Sequence, residues 1–256
     1  MNAYTPGSIH TKDTAKFWKE ELKASGWVMD VIENGYVIPF ESLPKEYEEP
    51  NNSSAKKNMK FVREEVRVLA RTGVVEYRLE KPHCVSPLTV SEKILPDGQS
   101  KQRLCLDGSR CINLHMREEK VTLAHFQRSL ELTKQGDYQT KYDLKSAYHH
   151  IKISETQTKY LGFAIEKEDG SVEYYVFLYL AFGVASAVHA ITKMFKPINA
   201  YFHSFGIRHS IYIDDGRALS DSPEQAEKTR KFIYQTLLRA GWIVEAKKSD
   251  QEGQTS

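Results

Sequence analysis

The chain is 256 residues long and 40% hydrophobic, with 36 Lys and Arg set against 34 Asp and Glu for a formal net charge of +2. That length suits one large domain or two small ones, and so even a charge balance does not by itself announce a nucleic-acid partner. Cys84, Cys105 and Cys111 are odd in number and lack CxxC spacing, which suggests neither a disulfide framework nor a zinc site and reads as small buried thiols in a reducing compartment.

A short amphipathic segment around Phe17, Trp18 and Leu22 comes first, followed by "GYVIPF". The stretch "LPKEYEEPNNSSAKKN" reads as a linker with a boundary near residue 55. Val62, Val66 and Leu69 then share one helical face, and Gly73 can close that helix in a left-handed conformation. "GVVEYRL", "VSPLTVSEK" and "QRLCLDG" are extended, the last two joined by the Pro-Asp-Gly turn of "ILPDGQSK". A second helix is expected from the N-cap Thr122 through Leu123, Phe126 and Leu130 to Gly136. "YQTKYDL" reads as a strand running up to Asp143, and Ser154 with Gln157 has the capping-box pattern of a short helical turn. "LGFAIEKEDGSVEYYVFLYL" is a hairpin about Asp169-Gly170. Val184, Val188, Ile191, Phe195, Ile198 and Phe202 recur at helical spacing, with Pro197 expected to kink or divide the helix. Ser222 and Pro223 open a last helix that Gly241 ends, and "WIVEA" is a final strand.

Strands paired as hairpins and mixed with helices make this an α+β fold. Lys228, Arg230, Lys231, Arg239, Lys247 and Lys248 against Glu245 leave the C-terminal end locally positive. No run approaches eighteen apolar residues, and the polar start lacks the apolar core of a signal peptide. A soluble intracellular protein without a membrane partner is expected, with nucleus and cytoplasm equally compatible.

The chemistry concentrates in two stretches. "HSIYIDDGRALS" places Asp214 and Asp215 between an apolar run and a glycine, the ordinary signature of a tight hairpin with positive φ. "KYDLKSAYHHI" ends a strand at Asp143, where a lone Asp is usually a cap or turn residue. A central antiparallel sheet could bring the three carboxylates together, and they would then repel one another unless a cation sat between them. Hard oxygen ligands suit Mg²⁺ or Mn²⁺, and two such ions stabilise the attacking and leaving oxygens of phosphoryl transfer.

In chain order, "VSPLTVSEK…KQRLCLDGSRCIN", "KYDLKSAYHHI", "LYLAFGVASAVHAITK", "YIDD" and "GWIVEAKKS" resemble the successive motifs of reverse transcriptases, RNA-directed DNA polymerases. The set covers residues 73 to 249, and its wording, with "NGYVIPF" and "EEVRVLARTGVVEY", is most similar to DIRS-like retroelements carrying a tyrosine recombinase. The resemblance implies a right-hand polymerase with an antiparallel palm sheet packed on helices and a missing or truncated thumb. Residues 1–55 would be an N-terminal extension and linker, 56–140 fingers, and 141–256 palm, with part of the fingers around 150–180.

It also implies roles. Asp143 and Asp214 would hold two Mg²⁺ (or Mn²⁺) ions with the Leu144 carbonyl, and Asp215 would shape the site. Tyr148 would be the steric gate favouring dNTPs. Lys93, Arg103 and Lys248 would serve the triphosphate and its leaving pyrophosphate, and Phe182 and Gly183 would pack against the incoming nucleotide. Implied partners are an RNA or DNA template with its primer, dNTPs, and RNase H or other domains of a longer polyprotein. Ala181, Val188 and Glu245 depart from the family pattern, and the run ending at Asn113 is one residue longer than its commonest spacing. A remnant retained as a nucleic-acid-binding domain, or an RNA-synthesising polymerase, are the alternatives; Tyr148 argues against the latter.

Overall fold

Apolar periodicity decides which surface each element buries. The computed structural model describes residues 8–95, 98–117, 131–167, 169–245 and 252–254. Its helices are α1 (Lys12–Glu20), α2 (Gly26–Asn34), α3 (Ser53–Lys57), α4 (Met59–Arg71), α5 (Ala187–Ser204) and α6 (Pro223–Arg239). The strands are β1 (Tyr47–Glu48), β2 (Val75–Arg78), β3 (Cys84–Val85), β4 (Leu88–Ile94), β5 (Ser100–Leu106) and β6 (Tyr138–Asp143), then β7 (Gly162–Glu166), β8 (Val172–Phe177), β9 (Arg208–Tyr212), β10 (Asp215–Ser220) and β11 (Glu252–Gln254). The mixture is α+β, as expected. Of the helix expected from Thr122 to Gly136, residues 122–130 lie outside the described residues; residues 132–136 are not helical, and Gly136 has φ +85°.

The residues group into two units: Met1–Asn34, Glu119–Ile151 and Val188–Ser256 form one, Gly35–Glu118 and Lys152–Ala187 the other. These groupings cut across the blocks 1–55, 56–140 and 141–256. The reason is local: the Trp18 indole N–H donates to the Ala240 carbonyl at 3.0 Å and the Ser8 hydroxyl to the Gly241 carbonyl at 3.0 Å. Ile9 and Trp18 are fully buried by this arrangement, so residues 8–34 stay with the C-terminal helix.

In the first unit an antiparallel sheet runs β11-β6-β10-β9. Alternation along the strands sends Thr140, Tyr142, Gly216, Ala218, His209 and Ile211 to one buried face. α6 covers β6 and β10 there, while Asn199 and Phe202 of α5 sit against His209. Lys141, Asp143, Asp215, Arg217, Ser210 and Tyr212 occupy the other face. The Ser222 side chain accepts from the Gln225 N–H at 3.2 Å and Pro223 takes the first turn, as the sequence predicts for α6. Pro197 does not divide α5, because Ile191, Phe195, Ile198 and Phe202 are buried on both sides of it at helical spacing and their packing outweighs one lost bond. Of "WIVEA", expected as a strand, the described residues 242–245 make an isolated bridge, Val244 to Leu144.

The second unit holds a sheet ordered β1-β3-β7-β8-β2 and the separate β4-β5 hairpin. Val62, Val66 and Leu69 are the buried stripe of α4, and Gly73 follows it at φ +74°. The supposed linker is structured, since it contains β1 and α3 and is tied to β4: the Asn51 side chain accepts from the Leu88 N–H at 2.8 Å, and the Asn52 N–H donates to the Leu88 carbonyl at 3.0 Å. Ser154 opens a 3-10 helix, Glu155–Tyr160, without a side-chain cap. Gln157 is used elsewhere: its carbonyl oxygen accepts from the Ile38 N–H at 2.6 Å.

Candidate active site

The hairpin at residues 209–220 turns earlier than its Asp-Gly suggests. Tyr212 pairs with Asp215, which leaves Ile213 and Asp214 as the two corner residues, with Ile213 at φ +58°. A β-branched residue in the left-handed region is strained by about 1–3 kcal/mol, so the corner is held there by its surroundings. Gly216 is a strand residue with a different job. A Cβ on it would come within 1.9 Å of the Tyr142 ring, because that ring lies across β10 over Gly216. Tyr142 thereby reaches His209 on β9, its hydroxyl 2.7 Å from Nε2 and the two rings stacked 5.8 Å apart. Asn199 Oδ1, 2.6 Å from Nδ1, accepts the imidazole proton and leaves Nε2 to accept from the tyrosine. Burial lowers the His209 pKa to about 3, keeping the ring neutral in this apolar layer.

That buried frame carries the carboxylates. Asp143 and Asp215 are directly opposite each other in the β6/β10 ladder. The Leu144 N–H donates to the Asp214 carbonyl at 2.9 Å, and the Asp143 carbonyl accepts instead from the Glu245 N–H at 2.7 Å. Asp143 and Asp215 are therefore a non-hydrogen-bonded pair, the arrangement that brings facing side chains closest. Like charges facing each other at such a pair destabilise a sheet. Asp143 is buried, Asp214 half-buried and Asp215 exposed. Tyr148 is buried on the 3-10 turn Ala147–His150, and its pKa is pushed up to about 12 by burial first and then by the negative charge of Asp214.

At the end of the β9/β10 ladder away from the corner, the Arg208 guanidinium makes a fork to Asp137 at 2.6 and 2.7 Å and also reaches Asp221 at 2.7 Å. Arg208 holds the Asp137 carboxyl well below the usual range. The positive C-terminal end is partly neutralised: Arg230 and Lys231 pair with Glu227, and Arg239 with Glu21.

In the second unit, the β4/β5 register sets Lys93 opposite Lys101 and Ser91 opposite Arg103. Lys93, Lys101 and Arg103 thus share one exposed face of the hairpin. Phe182 and Gly183 lie on a loop fastened to the end of β5, where the Leu106 N–H donates to the Phe182 carbonyl at 2.8 Å. Gly183 has φ +103°, and a Cβ there would fall 1.8 Å from the Leu106 carbonyl oxygen, so only glycine fits. Lys248 lies outside the described residues.

Residues 88–255 match the family described as reverse transcriptase (RNA-dependent DNA polymerase). The chain belongs to the reverse transcriptase family. It is 23% identical over 187 residues to the enzymatic polyprotein of Cassava vein mosaic virus, covering 72% of this chain and 27% of that polyprotein. Its fold is similar to the crystal structure of the native prototype foamy virus protease-reverse transcriptase, with a TM-score of 0.60 and 22% identity over 85% of this chain and 26% of that one. The chain spans about a quarter of the length of each of these relatives.

The Asp143 and Asp214 carboxylates and the Leu144 carbonyl are hard oxygens, a donor type that would suit Mg²⁺ or Mn²⁺ and not zinc. Among the described residues no three His, Cys, Asp or Glu side chains are gathered closely enough to hold a metal ion by themselves. A Mg²⁺ site can be built from one or two carboxylates, with the remaining positions left to water and substrate phosphates. Lys101 escaped the sequence reading, and could have been found by pairing the hairpin from its Pro-Asp-Gly turn. Asn113 stands at the end of a run that resembles a family motif, but its partners, 70 and 72 residues away, gave no signal in the sequence. Among the described residues no helix is long and apolar enough to cross a membrane.

Proposed function

We propose that this chain is the polymerase part of a retroelement enzyme that transfers dNMP from a dNTP to a primer 3′-OH, directed by an RNA or DNA template. The observation that carries the reading is the meeting of Asp143 with the Asp214-Asp215 corner at one end of the β6/β10 ladder. On this reading Asp143, Asp214 and the Leu144 carbonyl would hold two divalent cations, and Asp215 fixes the shape of the corner through its pairing with Tyr212 and Asp143. When bound, the two cations stabilise the attacking and leaving oxygens of an in-line displacement. Tyr148 stays a neutral phenol at physiological pH, and its ring excludes a ribose 2′-OH. Lys93 and Arg103, with Lys248, neutralise the triphosphate, and Phe182 and Gly183 form the surface against which the nucleotide packs.

On this reading the β4-β5 hairpin belongs to the fingers, and the β11-β6-β10-β9 sheet is the palm. The motif wording supports a DIRS-like origin, and the relative named as a polyprotein supports partner domains such as RNase H. Mg²⁺-dependent primer extension on a poly-rA/oligo-dT substrate tests the function. The wild-type chain extends the primer and Asp214→Asn does not. Undiminished extension by Asp214→Asn would refute the site. Salt-sensitive binding of the hybrid with no incorporation, even in Mn²⁺, would instead identify a binding domain without turnover.

A further inference from the structure

We propose that Asn113 is a positioning residue that sets the backbone of the nucleotide-contact loop, an inference that rests on the polymerase reading of Phe182 and Gly183. The Asn113 amide spans that loop. Its Nδ2 donates to the Gly183 carbonyl at 2.9 Å, and its Oδ1 accepts from the Ala185 N–H at 3.0 Å. A carboxamide is the side chain that offers a donor and an acceptor side by side, which is what a carbonyl and an N–H two residues apart require.

The amide is itself held. Asn113 begins no regular strand or long helix; it sits in the 3-10 turn Ile112–His115, and its own N–H donates to the Gly108 carbonyl at 2.9 Å. A Cβ on Gly108 would fall 2.6 Å from Ile112 Cγ1 and 3.0 Å from Asn113 Oδ1, so glycine lets the turn close against the side chain. Just before it, Asp107 accepts from the Asn52 amide at 2.8 Å and from the Ser109 N–H at 3.1 Å, and Arg110 pairs with Glu49. The turn is thus braced on the segment preceding α3 before it reaches out to residues 183–185.

The loop needs this hold. Gly183 and Ala185 are exposed, and Gly183 adopts a backbone conformation open to many alternatives in solution. One backbone bond from Leu106 to Phe182 anchors the near side of the loop. Asn113 anchors the far side, and together they present a rigid strip of exposed backbone in place of a mobile one. Rigidity of this kind lowers the entropy lost when a ligand lands, so its removal shows in ground-state binding and not in the chemical step.

Two variants and two measurements test the inference. Asn113→Ala removes both bonds; Asn113→Asp keeps an acceptor for the Ala185 N–H and loses the donor to Gly183. In steady-state primer extension both variants raise the dNTP KM, by roughly five- to thirtyfold, while kcat stays within about twofold and primer-template affinity is unchanged. Amide hydrogen exchange reads the loop without turnover: the Ala185 N–H loses protection in Asn113→Ala and keeps it in Asn113→Asp. A wild-type chain that does not extend primers overturns the polymerase reading, while the exchange experiment still decides the hold on the loop. Equal Ala185 exchange in wild type and Asn113→Ala, or a dNTP KM within twofold of wild type in both variants of an active enzyme, overturns the role given to Asn113.

Discussion

Substituting Gly216 with alanine tests whether the Tyr142 ring, and not the turn, is what demands glycine in the Asp-Asp-Gly sequence. The added methyl carbon would lie 1.9, 2.3 and 2.4 Å from three atoms of that ring, far inside contact distance, so the ring must leave its place. Overfilling a close-packed layer costs about 1–3 kcal/mol. The displaced hydroxyl also abandons His209 Nε2 at 2.7 Å, and a buried polar atom left without its partner costs a further ~1–3 kcal/mol. Equilibrium urea unfolding should therefore show Gly216→Ala less stable by about 2–6 kcal/mol. In a Tyr142→Ala background the clash no longer exists, and Gly216→Ala should cost under about 0.5 kcal/mol, a strong departure from additivity. An equal cost in both backgrounds would show that Gly216 is needed for backbone freedom, and the explanation by the ring would fail.

Two further outcomes follow from the same geometry. Burial holds His209 at about 3 and His150 at about 4, both below the unfolded value near 6.5. The unfolded chain binds more protons below that value, so each histidine contributes stability that is complete above about pH 6.5 and falls by about 1.4 kcal/mol per pH unit as the medium is acidified towards its folded pKa. His209→Gln should remove about one proton from the slope of stability against pH between 6.5 and 4; an unchanged slope refutes the assignment. Lys101→Ala should raise the dNTP KM about two- to fivefold, the range for an exposed charge, and leave thermal stability unchanged or slightly improved by relief of repulsion from Lys93.

Local rules predicted what local forces decide. The Ser222-Pro223 start of α6, the stripe of α4 with Gly73 behind it, the β4-β5 and β7-β8 hairpins and the end of β6 at Asp143 all depend on neighbours within a few residues. The readings that changed depend on partners far away. Gln157 does not cap because its amide bonds both the N–H and the carbonyl of Ile38, 119 residues distant. The segment at 43–58 took on structure because Asn51 and Asn52 found Leu88. The hairpin corner shifted onto Ile213 and Asp214 because the Tyr142 ring made Gly216 valuable inside the strand. The carboxylates themselves were legible, since ordered motifs pointed to them, but their facing as a non-hydrogen-bonded pair follows only from the β6/β10 register.

The interleaving of the two units also fixes an order of synthesis. The chain passes from one to the other at 34/35, 118/119, 151/152 and 187/188. When Ala187 has been added at the ribosome, every strand of the five-stranded sheet and both arms of the β4-β5 hairpin already exist. β6 has by then been made without any of its strand neighbours, because β9, β10 and β11 all lie beyond residue 207. A nascent chain interrupted before Tyr212 therefore owns a complete set of hairpin cations while Asp143 still lacks the strand that faces it.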